Sequence, residues 1–591
     1  MVGIVLHIAG HAQLAQWLWA AAVMVVLVPI SRSVIASLVH RHVGVDVIAL
    51  LAMAGALALD ELLAGAVIAL MLAGGNALEE YAQSRASKEL TILAERAPRE
   101  AHVLRQGRVC EVSASEVCIG DIVVVRAGEL VPVDGIILDR PALVDQSTLT
   151  GEPLPVALAP GNTAMSGSTN AGDSFEVEAV RTARESMYAS IVRLVEDAVA
   201  RRAPLVRMAD RFAGIFLVLT LTLAAIAGAV SRDPVRALAV LVIATPCPLI
   251  LAPPVALVAG TSRAARRGII VKGGAAVEAL GRTSAVLIDK TGTLTLGRPH
   301  LMSIEAHDEA MTPAQLLRAA GAVEQMSVHS LAEAVAHAAN DAGPLPIATD
   351  IMEVPGQGIS GTVDGSRIAV GSAAYLAEHD IPLPALPETP HGTAQALIGV
   401  DGRFAGTLLL EDIPRPDAAE LASALHAVGV HRVVMVTGDH QEPAQRIAAR
   451  VGISEVRAEC TPATKLDVLE QLIHESRPGY VVMVGDGVND APALAASDVG
   501  IAMGSAGATA ASESAQAVIL SDRISRVADA IAIGKRSRSI ALQSILAGMT
   551  LSILGMCVAA TGHLPPVQGA VTQEVIDLAV ILNALRALAE R

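Results

Sequence analysis

The chain has 591 residues, of which 52% are hydrophobic and 17% charged, with a mean hydropathy of +0.52 and a net charge of −16. That is far fewer charges than the roughly 25% of ordinary soluble domains, so a purely soluble protein is excluded and a membrane protein with sizeable soluble parts is expected. The acidic balance argues against a nucleic-acid-binding surface, and the cysteines (Cys110, Cys118, Cys247, Cys460, Cys557) form neither a Cys-x-x-Cys pair nor a secreted disulfide framework.

Apolar runs long enough for membrane spans lie near Leu14 to Val39, Val43 to Leu59, Leu62 to Leu78, Phe212 to Val230, Val235 to Val258, Ile540 to Ala560 and Val567 to Leu588. Short polar turns at Asp60-Glu61, Ser231 to Pro234 and Thr561 to Pro566 join them into hairpins. Basic residues gather at the opposite ends (Arg32, Arg41, Arg85, Lys88, Arg201 to Arg211, Arg263 to Arg267, Lys535 to Arg538), which places those ends and the soluble segments on the cytoplasmic side. No Lys or Arg precedes the first apolar run, so no removable signal peptide is expected.

The first soluble segment, about Ala97 to Val180, consists of short Val/Ile-rich runs broken by Gly, Asp and Pro, and a compact β domain is expected. The second begins with Val286-Leu-Ile-Asp-Lys-Thr-Gly-Thr-Leu-Thr295. An apolar strand delivers Asp289 to a Gly/Thr turn whose N–H groups can hold a phosphate, the layout of a carboxylate that attacks a terminal phosphate. Two further buried-type strands, Val433 to Val436 before Thr437-Gly438-Asp439 and Tyr480 to Gly485 before Asp486 to Asp490, end in the same manner. Carboxylates gathered at neighbouring strand ends call for a cation, and Mg²⁺ with phosphate is the natural one. Between them, Pro355-Gly356-Gln-Gly358 is a glycine loop that permits close backbone approach.

The run Asp289-Lys290-Thr291-Gly292-Thr293-Leu294-Thr295 resembles the phosphorylation motif of P-type ATPases, a branch of the haloacid dehalogenase superfamily. The resemblance implies a multi-domain α-helical membrane protein with a cytoplasmic β actuator domain, an α/β haloacid-dehalogenase-like phosphorylation domain and an inserted α+β nucleotide-binding domain. Expected boundaries are 1–96 for three spans, 97–190 for the actuator, 191–280 for two spans, 281–298 with 403–533 for the phosphorylation domain, 299–402 for the insert and 534–591 for two spans. It implies ATP and Mg²⁺ as cofactors, and Mg²⁺ on Asp289, Asp486 and the Thr291 carbonyl. Lys290, Thr437, Gly438, Asp439, Lys465, Asn489 and Asp490 would hold and neutralise the phosphoryl group. Thr291 stands where the superfamily's phosphatases carry a second Asp as general acid, so the phosphoenzyme persists until Thr150-Gly151-Glu152 swings in and Glu152 orients the attacking water.

Within the insert, Glu324, His329, Gly356, Gly358 and Gly371 resemble the adenine-contacting set of the heavy-metal branch. Ser330 replaces the usual Pro after His329, and Ser372 an Asn. Ala244-Thr-Pro-Cys-Pro-Leu249 in the fifth run resembles that branch's substrate motif, with prolines freeing helix carbonyls and Cys247 supplying a thiolate. Gln573, Glu574 and Asp577 can share a face of the last span, where carboxylates at membrane depth are functional by default. At about 1.5 Å per residue, Cys247 and Asp577 reach comparable depths. One thiolate with oxygen donors suits a divalent ion of the Zn, Co, Ni, Fe or Cd class, while Met549 and Met556 keep Cu(I) as the alternative. The Thr-Pro-Cys variant resembles a minor nickel- or iron-linked subgroup. The expected function is ATP-driven export of that ion through an aspartyl-phosphate, in a bacterial plasma membrane, with the lipid bilayer and no obligatory protein as partner. A membrane-anchored phosphatase of the same superfamily is the rival, opposed by Thr291. Relatives carry eight spans and N-terminal Cys-x-x-Cys domains, so the resemblance also implies a truncated chain or a misassigned start.

Overall fold

The structure, a computed structural model, describes the chain except for residues 1, 40–45, 96–97, 99, 106, 148–154, 190–191, 194–203, 245–246, 308–310, 328–329, 355–356, 385–392, 487–489, 505–513 and 590–591. Two compact units result, residues 1–282 with 529–591, and residues 283–528.

In the first unit, helices Ala12–Val39, Asp46–Ala58, Leu62–Glu95, Pro204–Ser231, Arg526–Ala560 and Pro566–Leu585 occupy the places of expected spans, and a short helix, Val2–Ile8, precedes them. Among the described residues, Ala12–Ala36, Gly214–Ser231 and Arg526–Ala560 are long and apolar enough to cross a membrane, and Val47–Ala58, Leu62–Gly74 and Pro234–Ile243 are shorter apolar stretches. Their outward faces carry exposed Val25, Val218, Leu546 and Val575, the arrangement required where lipid is the solvent. The fifth apolar run is two helices, Pro234–Ile243 and Cys247–Ala265. Asp233 starts the first by accepting from the Val235 N–H at 2.9 Å, with Pro234 at the first helical position, where its missing donor costs nothing. The first of them ends at Ile243, with Ala244 out of helical geometry (φ −86°, ψ 27°) just before the Thr-Pro-Cys-Pro run, whose two prolines lack N–H donors.

The last helix pair is tied by polar bonds: Asn583 Nδ2 donates to Ser544 Oγ at 2.8 Å and Ser552 Oγ to Gln573 Oε1 at 3.2 Å. The Pro566–Leu585 helix also packs on both halves of the broken one. Gly569 lies close to Ala239 and Ile243, while Ile576, Val580 and Ala584 share an apolar cluster with Ala252, Val255 and Ala256.

The β segment of this unit forms an antiparallel sheet in the order Arg108–Ser113, Glu100–Arg105, Ile122–Val125, Phe175–Ala179, Gly135–Ile137, Thr163–Ala164, with a smaller sheet of Val156–Leu158, Ala142–Asp145 and Thr169–Asn170. Alternating residues such as Val103, Val123, Phe175 and Val177 build its core. Asp134, 3% exposed, pins the fold by accepting from the Ser166 and Met187 N–H groups at 2.9 and 2.8 Å.

The second unit contains a parallel sheet in the order Ala517–Ile519, Val499–Met503, Tyr480–Gly485, Thr283–Asp289, Arg432–Val436, Glu455–Arg457. Thr283–Asp289 is the first of these in sequence and lies where the order reverses, so its carboxyl end opens on the crevice in which doubly wound sheets bind ligands. Inserted after it is an antiparallel sheet, Thr295–Ala306, Arg403–Pro414, Thr393–Val400, Ser366–Gly371, Gly358–Val363, Ala348–Val354, whose first and last chain segments pair as neighbours. Residue 299, the expected start of the insert, falls inside strand Thr295–Ala306, and residue 402, its expected end, in the turn before Arg403–Pro414. Helices Pro313–Glu324 and Ser330–Asp341 cover it, the first opened by a Thr312/Gln315 capping box. Asp364-Gly365 and Asp401-Gly402, with φ of 49° and 87°, and 48° and 78°, make the tight hairpin turns.

Candidate functional site

Every residue of strand Thr283–Asp289 except Ser284 is buried, which drives Asp289 to the sheet's end while leaving it only 4% exposed. Lys465, in the first turn of helix Pro462–Ser476, reaches across to donate to Asp289 Oδ1 at 2.6 Å and to Asp490 Oδ1 at 2.8 Å. Thr461 caps that helix by accepting from the Thr464 N–H, which fixes where Lys465 emerges. Carboxylate oxygens of Asp289, Asp486 and Asp490 lie within 4.8 Å of one another. Burial, then the Asp490 carboxylate, pushes Asp289 up to about 7 against the pull of Lys465. Burial, then Asp490, also raises Asp486, and Lys465 is raised because Asp289 and Asp490 outweigh the opposing effect of its burial. Three carboxylates answered by one bridging ammonium are short of positive charge. An oxygen-only donor set of this kind fits a hard divalent cation such as Mg²⁺.

The turn after Asp289 is built around that cluster. Gly292 has φ +69°, and a Cβ there would overlap the Asp486 carboxylate, so glycine is required on both counts. Lys290 pairs with Asp439, whose N–H is held by Thr437 Oγ1 at 3.1 Å. Asp289, Lys290, Thr291, Thr437, Gly438, Asp439, Lys465, Asp486 and Asp490 are thus gathered at one end of one sheet. Asn489 and the Thr150-Gly151-Glu152 loop lie outside the described residues.

Two contributors carry no signal in the motifs. Arg415, 7% exposed, donates through Nε to the Thr293 carbonyl, through Nη2 to the Gly292 carbonyl (2.8 Å each) and through Nη1 to the Asp522 carbonyl (2.7 Å). Thr295 Oγ1 accepts from the Gly292 N–H at 3.3 Å and donates to Asp412 at 2.5 Å. Asp412 and Arg415 sit at the end of strand Arg403–Pro414, more than a hundred residues away in sequence, and only the pairing of that strand with Thr295–Ala306 brings them here.

The inserted domain holds a cavity of about 170 Å³ lined by Glu324, Glu353, Gly358, Gly371, Ser372 and Gln395 among others. Gly358 and Gly371 face each other in register, and a Cβ on Gly371 would come within 2.7 Å of Gly358 Cα. Their lack of side chains therefore also serves strand packing. Gly356 and His329 lie outside the described residues.

In the membrane unit, Gln573 and Asp577 are 0% and 8% exposed, and Gln573 Nε2 donates to Asp577 Oδ1 at 2.8 Å. Glu574 is half-buried, with its Oε1 near Gly74. Thr245, Pro246 and the Cys247 side chain lie outside the described residues.

The sequence matches the family model of the P-type ATPase actuator domain over residues 95–196 and that of the haloacid dehalogenase-like hydrolases over residues 283–498. It is 36% identical to the probable copper-exporting P-type ATPase V of Mycobacterium tuberculosis, over 87% of this chain and 68% of that protein. It is 31% identical to the probable cadmium-transporting ATPase of Staphylococcus aureus strain MRSA252, over 90% and 76%. The chain belongs to the heavy-metal-transporting P-type ATPases. Among solved structures, this ATPase resembles a zinc-transporting PIB-type ATPase in the E2.Pi state with a TM-score of 0.68 and 31% identity, covering 100% of this chain and 97% of that one. It is a membrane protein that hydrolyses ATP to move ions, with the actuator, phosphorylation and nucleotide-binding parts of that fold. P-type ATPases work with ATP and Mg²⁺.

Proposed function

We propose that this ATPase exports a divalent transition-metal ion of the Zn, Co, Ni, Fe or Cd class from the bacterial cytoplasm across the plasma membrane. The observation that carries the reading is the buried Gln573–Asp577 pair, on a helix packed against both halves of the helix that breaks at the Thr-Pro-Cys motif. A carboxylate, an amide oxygen and backbone carbonyls freed by proline, together with the Cys247 thiolate, make a mixed donor set suited to a borderline divalent metal.

Asp289 is the nucleophile on this reading, and attacks the terminal phosphate of ATP. Lys465 and Lys290 neutralise charge on the phosphoryl oxygens, and Lys465 holds the Asp289 carboxylate in place. Asp486, Asp490 and Asp289 would hold Mg²⁺, which would offset the negative charge of the phosphate when bound. Thr291 offers no acid for hydrolysis, so the phosphoenzyme waits for Glu152. On this reading the soluble domains face the cytoplasm, because basic residues flank the apolar runs on the side that joins them.

Cu(I) is the second reading, and Met556 supports it. The side chain is 0% exposed, lies 3.6 Å from the Thr220 hydroxyl and packs in a cluster with Ile243 and Ala244, the residues that end the helix just before Thr245. ATPase activity of the purified protein across a metal panel tests both. Stimulation by divalent ions that is lost in Asp577→Ala and Cys247→Ala supports the first, whereas stimulation by Cu(I) alone, lost in Met556→Leu and kept in Asp577→Ala, replaces it with the second.

A further inference from the structure

A hydroxyl inside an apolar helix has a default partner, the carbonyl four residues back. In the membrane unit Ser31, Thr222, Ser231, Thr261 and Thr572 all donate to it, at 2.6 to 3.1 Å. Ser552, on helix Arg526–Ala560, does otherwise. It is 1% exposed, and its Oγ crosses to helix Pro566–Leu585 to donate to Gln573 Oε1 at 3.2 Å. Gln573 in turn donates its Nε2–H to Asp577. Gly555, one turn after Ser552, is packed so closely that an added Cβ would lie 2.3 Å from Ile243 Cδ1. This part of the helix therefore lies against the residue that ends helix Pro234–Ile243, just before Thr-Pro-Cys.

The sense of the amide decides what the pair can hold. A carboxylate offers acceptors alone, so Gln573 turns its N–H toward Asp577 and its oxygen toward Ser552. In that orientation a donor hydrogen lies between the two side chains, where a shared cation would have to sit. For Asp577 and the Gln573 oxygen to ligate one ion, the amide must turn over about its last torsion, which brings its N–H to Ser552. A hydroxyl serves both orientations, because it donates to the oxygen in one and accepts from the N–H in the other. We propose that Ser552 is a positioning residue of the ion site, the pivot that holds the Gln573 amide in its empty orientation and receives it in its ion-bound one. The inference rests on Gln573 and Asp577 being ligands of the transported ion.

The test is a double-mutant cycle on the full chain in detergent, read as the metal concentration that half-maximally stimulates ATP turnover. Losing an acceptor costs a buried N–H more than losing one donor costs a carbonyl, so Ser552→Ala should weaken the filled orientation more than the empty one. Its half-maximal metal concentration should rise about fivefold, on the scale of one net hydrogen bond. Gln573→Leu should raise that concentration too, and Ser552→Ala added to Gln573→Leu should change nothing more. Ser552→Thr, which keeps the hydroxyl, should restore the unaltered value.

An unchanged or lowered half-maximal concentration in Ser552→Ala overturns the proposal while leaving the ion site standing. So do effects of Ser552→Ala and Gln573→Leu that add, since a residue that merely packs two helices acts without Gln573. A Ser552→Thr chain that behaves like Ser552→Ala assigns the effect to shape and overturns it as well. Phosphorylation of Asp289 from inorganic phosphate without metal shows that each variant is folded. Where Ser552→Ala fails that check, Ser552→Cys, close in volume and weak as donor and acceptor, takes its place in the cycle. Metal stimulation unaltered by Gln573→Leu removes Gln573 from the ion site and the proposal with it. No stimulation of the unaltered chain by any ion of the panel removes the ion-export reading and this proposal together.

Discussion

Asp289 and Asp577 are both buried aspartates that accept a close side-chain hydrogen bond, yet the donors differ in kind. Asp289 is held by the ammonium of Lys465 among two further carboxylates, and Asp577 by the neutral amide of Gln573. At the carboxyl end of the sheet, lysines are at hand, so charge can be concentrated and then offset by Mg²⁺ and phosphate. Within the bilayer a fixed countercharge would hold the carboxylate too well, since breaking a buried ion pair costs several kcal/mol. The Gln573 amide orients the carboxylate without adding a countercharge of its own. On the proposed function, the site with the lysine runs the chemistry and the site with the amide carries the cargo.

That contrast is broken most severely by Asp289→Asn, which should lower ATP turnover about a thousandfold or more and abolish acid-stable phosphate labelling. The same variant tests the crowding of the cluster. Because burial and Asp490 raise Asp289 to about 7, its contribution to stability is fully present below the ordinary aspartate value and is lost as pH rises through about 7. Without divalent ion, Asp289→Asn should therefore melt higher than the unaltered chain on the alkaline side, and Mg²⁺ should raise the unaltered chain's Tm more at about pH 8 than at about pH 5. Equal Mg²⁺ effects at both pH values would show that the carboxylates do not repel as inferred.

Asp577→Asn comes next. Metal-stimulated turnover should fall about a hundredfold, while phosphorylation of Asp289 from inorganic phosphate persists. Loss of both would mean that Asp577 supports the fold and not the ion. A smaller effect is expected from Arg415→Ala, which strands the Gly292 and Thr293 carbonyls: about 3 kcal/mol of stability in a denaturant titration and about tenfold in kcat. The least is Arg432→Met, at the opposite end of its strand from Asp289. Arg432 forks onto Glu455 and reaches Glu475 at the sheet's edge, is one-third exposed, and should cost about 1 kcal/mol or less with turnover unchanged.

Much of this arrangement is legible without coordinates because local chemistry demands it. A buried-type strand must end where its polar residues begin, so Asp289, Thr437 and Asp486 could be set at neighbouring strand ends, and the Gln573/Asp577 spacing of four already put both on one helix face. Gly292 stands in a motif that can be read directly, but its reason, the Asp486 carboxylate packed against it, cannot. Arg415 and Asp412 were invisible for another cause. Each is one charged residue at the end of an ordinary strand, with nothing periodic or clustered to mark it.

The amino-acid sequence by itself determined the apolar spans, the strand ends and the kinds of group placed there, because hydrophobic period and turn chemistry act over a few residues. Tertiary structure decided which distant groups meet. It set Lys465 between Asp289 and Asp490, clamped the turn after Asp289 with Arg415, and brought Glu353 to the same cavity as Glu324. Those are contacts between segments whose separation along the chain carries no information about their distance in space. Only the packing of whole strands and helices, driven by burial of their apolar faces, can specify them.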